Sequence, residues 1–194
     1  MLDGSVYACV NLSHLFNGFA ASSDLNRESG CFSYISHCSY PAEELPPANE
    51  MVILGGIPFL FPNTTGGQKD NIEAEEQVLW LPDISAHIAV VLGACDTTKY
   101  QETIFIQAGG EQQIYTLGLS SWIDAFPDYG NRLAWQGTHL HATTKDLPSI
   151  KPALWMASLS LNSTAPIEAV FLPYNPSLHI FALTFLTRLA REVS

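Results

Sequence analysis

The feature that most constrains this chain is a rhythm of short apolar runs, each ended by turn-forming residues, with almost no helical periodicity. The runs fall at 6–12, 51–54, 57–61, 77–81, 87–92, 102–107, 112–119, 132–140, 153–161, 167–172 and 178–186. Between them sit Gly55-Gly56, the stretch 63–67, Leu81-Pro82-Asp83, Ala108-Gly109-Gly110 and Pro173-Tyr174-Asn175-Pro176. Glycine and proline there supply backbone angles through which a strand cannot continue. Runs recurring every ~8–15 residues without a 3.6-residue pattern predict an all-β chain, folded as a two-sheet antiparallel β-sandwich.

The sharpest local prediction is a hairpin, ETIFIQ–AGGE–QQIYTLGL, whose two glycines supply the positive φ of a tight turn. Segments 50–61 and 178–186 are apolar at odd and even positions alike, which predicts strands covered on both faces. Residues 13–49 break the rhythm. Rich in Ser, Asn, Gly and Pro, they read as a long ordered loop with a helical turn near 41–45, and a loop of that length in a compact domain is usually either functional or wrongly assigned. With 194 residues, 47 % of them hydrophobic, the chain suffices for one sandwich domain over 1–194. Its tail, 187–194, is mildly basic and helix-compatible.

Charge narrows the partners. Eight Lys+Arg stand against 19 Asp+Glu, a formal net charge of −11, and only 14 % of residues are charged. Duplex nucleic acid requires clustered cations, and an anionic leaflet repels such a surface, so both are excluded as partners. Neutral polar ligands, cations and basic proteins fit. No run reaches the roughly 18 apolar residues of a membrane helix. The start, MLDGSVYACVNLSHLF, carries Asp3 and lacks a basic segment, unlike a signal peptide. The expected location is cytoplasmic, or secreted if the true N-terminus is missing. The sequons at Asn11, Asn63 and Asn162 matter only in the secreted case. Cys9, Cys31, Cys38 and Cys95 show no zinc spacing and read as reduced or partly buried thiols, although Cys31 and Cys38 could close a small loop.

His139 and His141 stand two apart and so share one face of a strand, an arrangement able to ligate zinc, iron or nickel. The metal-binding motif of cupins does not follow: Leu133 takes the place of its first glycine, Lys145 or Asp146 that of its glutamate, and its last glycine is missing. The metal assignment therefore stays open, with surface or hydrogen-bonding histidines as the simpler reading. His179 reads as a satisfied core histidine. There is no serine elbow, P-loop or dinucleotide fingerprint. Carboxylate pairs for glycoside hydrolysis can be drawn from Asp24, Glu43, Glu44, Asp124 and Asp128, but any acidic chain offers as much. By residue type alone, the catalytic candidates are Asp24, Asp124, His139 and His141.

The segment SSWIDAFPDYGNRLAWQGTHLH interleaves aromatic and polar residues. Sugar rings present apolar C–H faces bordered by hydroxyls, so a site for them combines an aromatic plate with fixed polar groups. The ligand-binding set expected on that basis is Trp122, Asp124, Tyr129, Asn131, Arg132, Trp135 and His139. The competing reading makes both tryptophans core residues. A second polar cluster, GGQKDNIE, belongs to a rim or a solvated loop.

Several phrases occur together and in order: VNLSHLFNGFAASSDLN, SYPAEELPPA, GGIPFLFPNT, KDNIEAEEQVLWLP, AVVLGACD, SSW near residue 122, and LPYNPSLHIFALTF. From about residue 6 to 187 the chain resembles a galactose-binding-like jelly-roll domain, an accessory of bacterial and fungal glycoside hydrolases. The resemblance implies two antiparallel sheets, carbohydrate binding at loops or on the concave sheet, and no cofactor beyond the structural calcium held by some members. Two departures stand out: Ala108-Gly109-Gly110-Glu111 replaces a Tyr-Asp-Gly-Thr turn, and Ser121 replaces an aspartate before the tryptophan. The expected function is non-catalytic binding of a carbohydrate or other neutral polar ligand. The alternatives are a small stand-alone jelly-roll enzyme acting on a sugar or related metabolite, and a structural domain forming a homodimer through a sheet face.

Overall fold

Strand β8 (Ile88–Cys95) is buried from Ala89 onward, and its two sides feed two different cores. Ala89 and Val91 enter one apolar cluster, while Val90 and Leu92 enter the other. A strand apolar on both sides demands cover on both sides. The computed structural model, which describes residues 5–65 and 67–188, supplies that cover with three stacked layers of a β-sandwich.

The central sheet runs β1 (Ser5–Val10), β16 (Tyr174–Arg188), β8, β14 (Ala153–Ser160), β11 (Arg132–Gln136), with β6 (Ile72–Glu75) also paired to β16. On one side lies the sheet β10 (Glu111–Leu119), β9 (Tyr100–Ala108), β15 (Ile167–Phe171), β7 (Val78–Ile84). On the other side lies a short sheet of β13 (Lys145–Leu147), β12 (Leu140–Ala142), β3 (Cys38–Pro41) and β2 (Ala21–Ser22), beside the hairpin β4 (Met51–Leu54)–β5 (Ile57–Leu60). The third layer is additional to the two sheets that the sequence predicts.

All eleven apolar runs contain strand, and the β9–β10 turn forms on Gly109 and Gly110, at φ 59° and 79°. The run 132–140 splits into β11 and β12 at Gly137. There a Cβ would stand 2.7 Å from the Trp135 ring, and the Gly137 amide donates to the Pro152 carbonyl. The chain thereby leaves the central sheet for the third layer. Segment 178–186 is covered on both faces, with Leu183 and Phe185 in one core and Phe181 and Ala182 in the other. The same expectation for 50–61 is corrected: Val52 and Phe59 pack inward, but Met51 and Ile53 are 57 % and 76 % exposed. The hairpin lies outermost, so one of its faces meets solvent. β16 continues through Arg188, correcting the helical expectation at 187–188; residues 189–194 lie outside the described residues. All four cysteines are free thiols.

Residues 13–49 form two short 3-10 turns (Ser13–Leu15, Arg27–Ser29), β2 and β3, and a hydrogen-bonded turn in which the Glu44 amide donates to the Pro41 carbonyl. A buried polar clasp holds this segment down. Asp70, 1 % exposed, accepts the Ala20 amide on Oδ1 (2.7 Å) and the Ala21 amide on Oδ2 (3.0 Å). The Asn71 amide also donates to Asp70 (2.9 Å), which turns its Oδ1 toward His179 Nδ1 (2.8 Å). An amide oxygen only accepts, so Nδ1 carries the proton. Burial pushes Asp70 up to about 6 against the pull of these donors, and burial drives His179 down to about 3, leaving a neutral ring.

Asp70→Ala strands two buried amides and an Asn71 donor. Urea unfolding is expected to show a loss of about 2–4 kcal/mol. His179 carries the opposite sign of pH dependence from a raised carboxyl. Its folded pKa lies below the ordinary 6.5, so the unfolded chain takes the proton first and the stability of the neutral ring is lost as pH falls from about 6.5 toward 3. Against His179→Gln, the wild type is expected to lose stability over that window at up to ~1.4 kcal/mol per pH unit. Asp70 titrates in both proteins and drops out of the difference.

Candidate functional site

The site grows from the pleat of the β12–β13 hairpin. Alternation puts His139 and His141 on one face and Leu140 on the other. In register, His141 pairs with Asp146 and Leu140 with Leu147, so the polar pair and the apolar pair also separate by face. On the apolar side, Leu140 and Leu147 border a groove of about 290 Å³ with Ile35, Ile123, Ile150 and Asp96. On the polar side, segment 13–49 meets the histidines.

His141 is 1 % exposed. Its Nδ1 lies 3.1 Å from the Ser22 carbonyl and 3.0 Å from Ser22 Oγ, which pairs in turn with Ser39 Oγ at 2.6 Å. A carbonyl accepts only, so the proton sits on Nδ1 and the Nε2 lone pair faces outward. Nε2 stands 3.4 Å from Asp24 Oδ1 and 4.0 Å from Asp146 Oδ1, and no hydrogen bond reaches it. Burial, then the nearby Arg27 charge, lowers the His141 pKa, favouring the neutral ring.

His139 repeats the arrangement. Its Nδ1 lies 3.2 Å from Glu44 Oε1 and its Nε2 lies 3.8 Å from Asp146 Oδ1. Burial pushes the Glu44 carboxyl up, but hydrogen bonds from Thr138 and the neighbouring His139 outweigh it and hold it low. Arg27 donates to Asp24 (2.7 Å) and to Asp146, and its hydrogen bond is the main reason the Asp146 carboxyl is held low. Glu43 accepts the Asp24 amide at 2.8 Å, fixing the turn that carries Asp24. Gly30 lets this loop press on β2; a Cβ there would stand 2.1 Å from the Ala21 carbonyl oxygen. Four carboxylates thus converge on two imidazoles and one guanidinium. Such a set can accept hydrogen bonds, hold a cation or relay a proton.

A family model for the AziU2-like β-sandwich domain matches residues 7–188. The chain belongs to the AziU2-like β-sandwich domain family. No curated protein matches it. For this AziU2-like domain the match bears on the β-sandwich, not on the galactose-binding-like or glycoside hydrolase association expected from the sequence. No helix among the described residues is long and apolar enough to cross a membrane.

Of the expected catalytic candidates, Asp24, His139 and His141 meet here; Asp124 lies in the turn after Ser121, where its amide donates to the Ser121 carbonyl. Of the ligand set, His139 belongs to the cluster and the half-buried Trp135 borders it, donating Nε1 to the Glu44 carbonyl at 3.0 Å.

Trp122 is a correction. At 1 % exposure it packs on Phe32 and Tyr40 at the floor of the apolar groove, with no face open for stacking. Asn131 is likewise structural: it accepts the Ser120 amide and donates to the Gly118 carbonyl. Tyr129 lies across Gly118, and exposed Arg132 braces the Gly55 carbonyl at 2.9 Å. Sequence reasoning missed Arg27, met Asp146 only at the position of the cupin glutamate without assigning it a role, and placed Glu43 and Glu44 only in a generic acidic pool. Their signal was the long polar segment 13–49 and the hairpin following the histidines.

Arg27→Gln removes the cation that holds Asp146 low. The Asp146 carboxyl is expected to titrate at higher pH than in the wild type, read from side-chain carbon NMR shifts.

Proposed function

We propose that the domain is a non-catalytic binding module for a small polyhydroxylated ligand of the carbohydrate class, seated on the exposed side of the His139–His141–Asp24–Asp146 cluster. One observation carries the reading: two carboxylate oxygens, Asp24 Oδ1 and Asp146 Oδ1, lie within 4.0 Å of the buried His141 Nε2, which has no donor. A ligand must therefore bring donors, and neighbouring sugar hydroxyls bring several at once. Trp135 supports the same reading as a half-buried indole at the rim, taking over the aromatic role that Trp122 cannot serve. The acidic balance of the chain favours neutral or cationic ligands over phosphorylated ones. Affinity then rests on hydrogen bonds and a little stacking, with weak dependence on salt.

Saturation-transfer NMR against a panel of mono- and disaccharides tests this reading. Transfer to at least one sugar is expected, with His139→Ala and Asp24→Ala each weakening binding by about tenfold or more, the equivalent of ~1.4 kcal/mol. Tyr129→Ala, remote from the cleft, is expected to bind as the wild type does. No transfer to any saccharide, or loss on Tyr129→Ala alone, overturns the assignment.

A further inference from the structure

We infer that the same cluster holds a divalent first-row transition-metal ion of the zinc type, ligated by His139 Nε2, His141 Nε2 and Asp146. The inference deepens the reading above and rests on the cluster being a ligand site; with the ion bound, sugar hydroxyl oxygens would ligate its open positions instead of donating to His141 Nε2.

The orientation of the two rings is the first argument. His141 has its Nδ1 fixed by the Ser22 carbonyl, which only accepts; His139 Nδ1 lies 3.0 Å from Thr138 Oγ1, whose own proton goes to Glu44, and 3.2 Å from the Glu44 carboxylate, so both partners leave the Nδ1 proton in place. Each ring then presents Nε2 to Asp146, at 3.8 and 4.0 Å. Metal-bound histidines are held in this way, the outer acceptor selecting the tautomer and raising the basicity of the ligating nitrogen.

Distance is the second argument. The donor atoms of His139, His141 and Asp146 lie within 4.8 Å of one another. Bonds of about 2.0–2.1 Å in a tetrahedral site place neighbouring ligand atoms about 3.3–3.4 Å apart. The Nε2–Oδ1 spacings of 3.8 and 4.0 Å close to that geometry by small inward movements of exposed Asp146, while Asp24 converges on His141 in a separate group with Glu43.

A plain ion-pair network is the competing account, since Arg27 already binds Asp24 and Asp146. It explains the carboxylates but not the rings. A guanidinium pair needs no imidazole beside it, and a buried Nε2 left without a donor is destabilising. His141 is buried, and its Nε2, facing Asp24 and Asp146, has no hydrogen-bond partner. A cation with open coordination positions satisfies that nitrogen and offsets the four carboxylates, of which Arg27 balances one. Two of the converging donors are nitrogen, which suits zinc, cobalt or nickel; calcium takes oxygen ligands, so the structural calcium that the resemblance implied does not fit this site.

Protein stripped with EDTA and titrated with Zn²⁺ alone is expected to bind one ion per chain by calorimetry. Co²⁺ is expected to give the visible absorption of tetrahedral cobalt. His139→Gln and Asp146→Asn, both at the surface side of the cluster, are expected to weaken Zn²⁺ binding by ~100-fold, and Glu44→Gln by ~10-fold through its hold on His139. Thermal unfolding of each variant without metal verifies that it is folded. Absence of Zn²⁺ and Co²⁺ uptake by the wild type overturns the inference, as does wild-type affinity in folded His139→Gln and Asp146→Asn. Metal uptake without sugar binding removes the carbohydrate reading alone. Sugar binding by the EDTA-treated protein that takes up no metal removes the metal alone.

Discussion

The architecture hangs on a carboxylate buried under a loop. Asp70 takes the amides of Ala20 and Ala21 on its two oxygens, and Asn71 links it to His179 on the central strand β16. A charged group in such a place is tolerated only when donors replace the water it loses. Here the donors belong to the segment that must be pinned, so the cost of burying the charge becomes a tether. Without it, residues 17–31 have few apolar anchors: Ala20, Ala21 and the outlying Phe32 are the buried ones. Phe32 itself packs on the His179 ring at 4.2 Å, so the polar clasp and the second core meet at one histidine.

The functional cluster inherits its geometry from that tether. Ser22, which fixes the tautomer of His141, follows the clamped residues directly, and Asp24 and Arg27 come within one further turn. The other half arrives on a hairpin whose pleat keeps Leu140 and Leu147 against the interior and turns His139, His141 and Asp146 away. Chain segments more than a hundred residues apart along the sequence are thereby held at hydrogen-bond distance, as between Arg27 and Asp146. Like charges that would repel in an open loop are held together around two rings and one guanidinium.

Much of the fold could be read from residue pattern. Strands reveal themselves by apolar runs because a sheet buries whole faces, and Gly109-Gly110 reveals a turn because only glycine accepts both angles cheaply. The short strands β2, β3, β6, β12 and β13 left little trace. Two to four residues are too few to display alternation, and three of them stand inside polar sequence. The site was half legible: the spacing of His139 and His141 said that they share a face, but not what faces them. Trp122 shows the limit of residue type, for an indole serves a core and a sugar platform equally well, and only its neighbours Phe32 and Tyr40 decide which.

The sequence by itself determined that the chain is all-β and that segment 178–186 is covered on both sides, and its net charge of −11 set the sign of the surface. These follow from hydrophobic period and net charge, quantities that local order along the chain fixes. Tertiary structure alone decided that a third layer exists, that Trp122 is sealed within it, and that Asp24, Arg27, Glu44 and Asp146 surround the histidines. Those outcomes depend on pairings between distant segments, and a polar loop carries no periodic signal of where it will dock; a buried carboxylate and the amides it satisfies set that place.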